Sequence, residues 1–352
     1  MMKIITVSIK PRAPSPRSAL ESASPMQPIR RVPPRRASTR SRITAAPPRR
    51  LRAILACAAL AGVALLGTAC SSSSGAGGKI TAVGAENEYA DVISQIGGQY
   101  VSVSAIMSNP NTDPHTFEAS PRVAAEVSGA KLVVQNGLGY DDFMTKIEQA
   151  SNDGSRKVVD VQSLLDLPDS TQNPHLWYKP STMPAVAAAV AADLESLDPT
   201  HKSAFAANLA RFKASLSAWN TAISTLESRF GGAPVATTEP VADYLLQAAG
   251  LNVQTPWSFQ ADVMNGTDPS PQDVATQQAL FTKHEVKVFV YNQQVTDSLT
   301  ESLLTLAKQN HVPVVGVYET MPAPGYDYQK WMLAEVSALS NALSSGTSAP
   351  TL

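Results

Sequence analysis

Five histidines occur in the 352 residues of this chain, and two of them share a setting. His115 lies in NPNTDPHTFEAS (109–120) and His175 in QNPHLWYK (172–179). Each follows a proline among turn-forming residues, and each stands two positions before an aromatic, Phe117 and Trp177. A histidine beside a proline is commonly only a surface loop residue. These two gain weight from a pair of carboxylates. Glu239 closes GGAPVATTE (231–239) and Glu319 closes VPVVGVYE (312–319), both of which read as strands running into loops. In open α/β sheets, ligands gather outside the carboxyl ends of strands. Two imidazoles and two carboxylates from strand ends form a ligand set for zinc or manganese, with zinc tolerating the carboxylates and manganese preferring them. The bland alternative for Glu239 is helix capping, because Pro240 follows it directly. His201, His284 and His311 sit at polar helix ends or turns and read as structural or solvent-facing.

These side chains need elements to position them. KITAVGA (79–85), VSVSAIM (101–107), KLVVQNG (131–137) and KVVDV (157–161) read as strands. Helical spacings fall between them at 86–98, 120–130 and 141–150, and a further helix at 183–197. The alternation predicts a mostly parallel sheet covered by helices. The pattern then changes. Phe205, Leu209, Phe212, Leu216, Trp219, Ile223, Leu226 and Phe230 recur at gaps of four and three, and no Gly or Pro interrupts 201–230. A helix of that length spans about 45 Å. It serves either as a coiled coil with another chain or as a rod across two lobes of its own. The second fits better, because α/β pattern resumes: helices at 240–250, 269–285, 296–310 and 326–343, strands at 231–239, 286–292 and 312–319. The fold class expected is α/β, with two similar lobes of mostly parallel sheet joined by one long rigid helix and the site in the cleft between them.

The net charge of −1 hides two regions. Residues 1–70 hold 13 Lys/Arg and one acid, whereas 71–352 hold 15 Lys/Arg and 28 acids. The acidic remainder argues against nucleic acid and suits a protein that meets cations. PPRRLR (47–52), the apolar AILACAALAGVALL (53–66) and GTAC (67–70) read as a signal peptide with a lipoprotein-type processing site. Lipidation would fall on Cys70, and a plain secretory leader or an uncleaved anchor is the alternative. Cys57 would leave with the leader, so no disulfide framework forms. The expected organisation is a leader over 1–70, a Ser/Gly tether over 71–78, a lobe over 79–200, the linker helix over 201–230 and a lobe over 231–352. Its location would be extracytoplasmic, anchored to the cell membrane, as a monomer.

Enzyme signals are thin. There is no nucleophile elbow, no glycine-rich phosphate loop and no His-Glu-x-x-His helix. A metal hydrolase would need a base beside an open coordination position, and Asp113, Asp262 and Asp141 are the acids available. A surface adhesin or structural lipoprotein is the other alternative.

Several segments together resemble the solute-binding proteins of zinc and manganese ABC importers, a family that includes adhesin-type lipoproteins. DPHTFEASPR (113–122) is similar to its first ligand loop, VVQNGLGYDDF (133–143) to its Asn-Gly strand end, and NPHLW (173–177) to its second ligand loop. DPSPQDVATQQALFTKHEVKVFVYNQQ (268–294) resembles its Pro-Ser-Pro helix and following strand, and YQKWM with LSNAL its last helix. The resemblance covers about 79–343. It implies one divalent ion as cargo, held in the cleft by His115, His175, Glu239 and Glu319, and an ABC permease as partner. Glu319 stands where relatives commonly have Asp. The linker helix would resist wide hinge closure. Asn136 and Trp177 are expected to support the ligands from behind. Zinc is favoured by the ordinary metal series, with manganese close behind.

Overall fold

The computed structural model describes residues 78–111, 113–322 and 324–352. The chain divides into two units, Met1–Ser72 and Ser73–Leu352. The leader and Cys70 lie outside the described residues, as does the tether apart from Gly78. Among the described residues no helix is long and apolar enough to cross a membrane.

The first lobe is built from β1 (Ile80–Glu86), α1 (Asn87–Gly97), β2 (Val101–Met107), α2 (Pro121–Gly129), β3 (Leu132–Gln135), α3 (Asp142–Ser151), β4 (Lys157–Asp160), the short α4 (Val161–Leu164) and α5 (Thr182–Leu197). Its strands are all parallel, in the order β2-β1-β3-β4. The local rules explain the joints. At Gly84 a Cβ would come within 2.4 Å of the Ala90 nitrogen, so glycine lets α1 fold tightly back on its own strand. Tyr89, Val92, Ile93 and Ile96 form the face that α1 buries. Ser120 caps α2 by accepting from the Val123 N–H, with Pro121 in the first turn.

The second lobe comprises β5 (Pro234–Thr237), α8 (Asp243–Ala248), β6 (Asn252–Val253), α9 (Trp257–Met264), α10 (Pro271–Thr282), β7 (Val288–Asn292), α11 (Ser298–Gln309), β8 (Val314–Val317) and α12 (Tyr328–Ser345). Its parallel sheet runs β6-β5-β7-β8, the same order as the first. In both lobes the direction of winding reverses beside the first strand, and crevices for ligands form at such points.

Between the lobes, α6 (Lys202–Ser215) packs on α5 and α1, and α7 (Ser217–Phe230) packs on α12 and α8. The connection is therefore helical throughout but in two segments, where one rod was expected over 201–230. The interruption at Leu216 is slight, since its backbone stays right-handed helical at φ −75° and ψ −9°. The Ser215 hydroxyl donates to the Phe212 carbonyl at 2.7 Å and so competes for a helix acceptor. Gln329 of α12 donates to the same hydroxyl. Six of the eight stripe residues, Phe205, Phe212, Leu216, Trp219, Ile223 and Leu226, are buried within this chain. Leu209 and Phe230 pack partly buried against the same core. The stripe is thus an intramolecular seam rather than half of a coiled coil. One continuous apolar cluster runs from Val92 and Ile93 through Trp219 to Val315 and Trp331.

The helix predicted over 240–250 is shorter. Residues 240–242 turn first, the helix starts at Asp243, and Ala242 occupies its N-cap. Glu239 therefore caps nothing, which removes the bland reading of that carboxylate. Helix α9 and strand β6 have no counterpart among the predicted elements. Pro256 ahead of α9 and Gly266 behind it were the available boundary signals.

Candidate metal centre

The loops at the carboxyl ends of both sheets face each other across the cleft. Asp113 shapes the first: its carboxylate accepts the His115 N–H at 2.8 Å and caps a single turn over Pro114–Thr116. His115 rides on that turn with 23% of its side chain exposed. His175 is wholly buried in the loop before α5. Glu319 follows β8 and is also wholly buried. One ligand atom from each of His115, His175 and Glu319 lies within 4.8 Å of the others.

The trio converges on one oxygen. Glu319 Oε2 is 3.1 Å from His115 Nε2 and 3.4 Å from His175 Nε2, and it accepts from the Tyr140 hydroxyl at 2.9 Å. Tyr140 lies edge-on to both imidazoles, with ring centroids 5.3 and 5.9 Å away. Burial alone would raise the Glu319 carboxyl, but hydrogen bonds from the two histidines overcome it and hold the group well below the carboxylate range. Burial pulls the His115 imidazole down, and its bond to Glu319 reverses that, leaving it raised. For His175 burial wins and the ring is pushed toward its neutral form. A neutral imidazole is the form that ligates a metal.

His175 is oriented by Asn173, a residue without a predicted role. The Asn173 amide nitrogen donates to the Pro240 carbonyl at 2.8 Å, which turns Oδ1 toward His175 Nδ1, also at 2.8 Å. Nδ1 then carries a proton, and in the neutral, metal-ligating form the Nε2 lone pair would take the place of the proton shared with Glu319. Asn136 acts one step back, donating to the Pro174 carbonyl at 2.8 Å and accepting from the Tyr89 hydroxyl at 2.7 Å. Trp177 is buried and forms an apolar wall, its ring centroid 5.4 Å from that of His175.

Glu239 stands outside the trio. Its Oε1 accepts from Asn292 Nδ2 at 3.0 Å, and the same nitrogen donates to Glu319 Oε1 at 2.7 Å. Glu239 Oε2 is buried without a hydrogen-bond partner. Burial, and then the charge of Glu319, push the Glu239 carboxyl well above the usual range. Asn292 ends β7, so the strand-end rule that found the two glutamates reaches it as well. Gln294 completes this side, its Oε1 accepting from the Glu319 and Thr320 N–H groups at 2.7 and 2.8 Å.

A cleft of about 310 Å³ opens beside the trio, lined by His115, Tyr140 and Pro174 on one side and by Trp257, Ala261 and Met264 of α9 on the other. The remaining histidines are elsewhere. His201 pairs with Asp198 at 2.5 Å and stacks on Tyr100. His284 and His311 are exposed and take the left-handed conformation that ends α10 and α11. Of the three acids considered as bases for hydrolysis, Asp262 lies on α9 and accepts from the Thr267 hydroxyl at 3.4 Å, and the other two are committed. Asp113 holds its turn, and Asp141 accepts the Asn136 and Gly137 N–H groups at 2.6 and 2.9 Å.

One partly exposed and one buried imidazole with a buried carboxylate, between two parallel-sheet lobes, are the arrangement of a metal-binding solute receptor. Residues 83–342 match the family of the zinc-uptake complex component A periplasmic, ZnuA, and the chain belongs to that family. It is a metal-binding protein of a metal-uptake class. The metal ABC transporter substrate-binding lipoprotein FimA of Streptococcus parasanguinis is 24% identical over 265 residues, covering 70% of this chain and 82% of FimA. The periplasmic zinc-binding protein TroA of Treponema pallidum has a similar fold, with TM-score 0.62 and 19% identity over 74% of this chain and 99% of TroA. The solute-binding protein FpvC of Pseudomonas aeruginosa, solved with Mn²⁺, gives TM-score 0.64 and 20% identity over 76% of this chain and 100% of FpvC.

Proposed function

We propose that the protein captures one divalent cation outside the cytoplasm, with Zn²⁺ favoured and Mn²⁺ close behind, and delivers it to an ABC permease. The convergence of His115, His175 and Glu319 within 4.8 Å carries this reading. Glu239 is the fourth ligand, reaching the ion through its partnerless Oε2. Two imidazoles and two carboxylates neutralise a divalent ion, which lowers the cost of holding it in a buried site. Family membership supports the permease as partner. FimA, a lipoprotein by name, supports tethering through lipid on Cys70.

Calorimetry on metal-stripped protein, with competing chelators to reach the tight range, tests the reading. One ion bound per chain is the expected result. A folded protein that binds neither Zn²⁺ nor Mn²⁺ would return the chain to the class of surface or structural lipoproteins. Cys70→Ala is expected to leave the membrane fraction, and its persistence there would refute the lipid anchor.

A further inference from the structure

Asn292 coordinates nothing, yet both carboxylates of the centre are fastened to it. It is buried at the end of β7 with 1% exposure. Its Nδ2 donates to Glu239 Oε1 at 3.0 Å and to Glu319 Oε1 at 2.7 Å. An amide nitrogen has two protons to give, and both are used. The amide is held from flipping, because Oδ1 accepts the Gln294 N–H at 3.0 Å. Its backbone is held as well, the Asn292 N–H donating to the Thr238 hydroxyl at 3.0 Å.

The oxygens taken by Nδ2 are the ones that would have to swing onto an ion for either carboxylate to chelate it. An ion chelated there would also press against amide protons that carry partial positive charge. Each carboxylate is left with one oxygen that Asn292 does not hold, and that of Glu319 also accepts from the Tyr140 hydroxyl at 2.9 Å. Glu319 Oε2 lies with the two imidazoles, and Glu239 Oε2 is buried without a partner.

We propose that Asn292 is a selectivity-setting positioning residue: by saturating one oxygen of Glu239 and one of Glu319, it restricts both to single-atom ligation. The centre then offers two nitrogens and two oxygens, a set that suits four-coordinate Zn²⁺ and starves Mn²⁺ of the additional oxygens it prefers. The proposal rests on the metal-capture reading above and names the device that chooses the cargo.

The test uses wild-type protein, Asn292→Leu and Asn292→Ser, each stripped of metal and titrated with Zn²⁺, Mn²⁺ and Co²⁺, with thermal melts to verify folding. Wild-type protein loaded with Co²⁺ is expected to show the intense visible absorption of a four-coordinate ion. In the variants that absorption weakens toward the six-coordinate type. The ratio of Zn²⁺ to Mn²⁺ affinity falls at least about tenfold, the worth of one hydrogen bond to a charged group. A weak, six-coordinate spectrum in the wild type overturns the proposal without any variant. An unchanged affinity ratio in a folded variant overturns it too, even when both affinities drop together, since that marks Asn292 as packing alone. Failure of the wild type to bind any of the three ions overturns the capture reading itself, and is thereby distinguished from failure of the selectivity role.

Discussion

Asn173 Oδ1 lies 2.8 Å from His175 Nδ1, and the same amide donates across the cleft to the Pro240 carbonyl. The tautomer of a buried ligand in one lobe is therefore set by a side chain whose orientation depends on the other lobe. Asn173→Leu removes both bonds, together with the one Oδ1 accepts from the His175 N–H at 3.0 Å, while keeping similar volume. Zn²⁺ affinity is expected to fall about 10- to 100-fold, the range for loss of a group that orients a ligating histidine. Calorimetry measures it, and unchanged affinity would show that His175 needs no such partner.

His115→Ala and His175→Ala should each weaken metal binding by more than about 100-fold, since a direct ligand exceeds its supports in worth. Their effects on folding should differ. His115 sits on a partly exposed turn, so its loss changes stability little. His175 is wholly buried among aromatic rings, and its loss leaves a void. Paired titrations and denaturant melts read both effects. Full affinity in either variant would remove that residue from the centre.

Glu335 gives a pH signature away from the ligands. Its Oε1 accepts from the Tyr178 hydroxyl at 2.8 Å and from Trp331 Nε1 at 2.7 Å, and its Oε2 is buried without a partner. Burial raises its pKa from 4.5 to about 8. Between those values the folded chain keeps a proton that the unfolded chain has released. Stability therefore falls as pH rises through that window. Burial raises Asp141 and Asp243 to about 7, so they add slopes of the same sign. Glu335→Gln stays neutral and removes its own share, on the order of several kcal/mol at most. Melts of variant and wild type at pH 5 and pH 8 check this. The variant should gain relative stability at pH 8, and a constant difference between them would refute the assignment.

Trp219 joins α7 to α12, its ring edge-on to Tyr328 at 5.8 Å and its side chain 1% exposed. Trp219→Ala should cost about 3–5 kcal/mol. Zn²⁺ affinity should survive at temperatures where the variant is folded, because none of the ligands lies on α7. Urea unfolding followed by metal titration separates the two effects.

The sequence alone carried the two-lobe α/β plan, because strand and helix periodicities are local and the stripe from Phe205 to Phe230 is continuous along the chain. It also singled out His115, His175, Glu239 and Glu319, since few residue types ligate metals and strand ends are where ligands collect. Tertiary structure decided what local pattern does not encode. The turn at Pro240 kept Glu239 from capping α8. Asn173, Tyr140 and Asn292 act through partners 67, 179, 53 and 27 residues away along the chain. Hydrogen bonds of that span leave no periodic trace in the sequence. They exist only because the loops of two separately legible lobes face each other across one cleft, where every buried polar group must find a partner or pay for its absence.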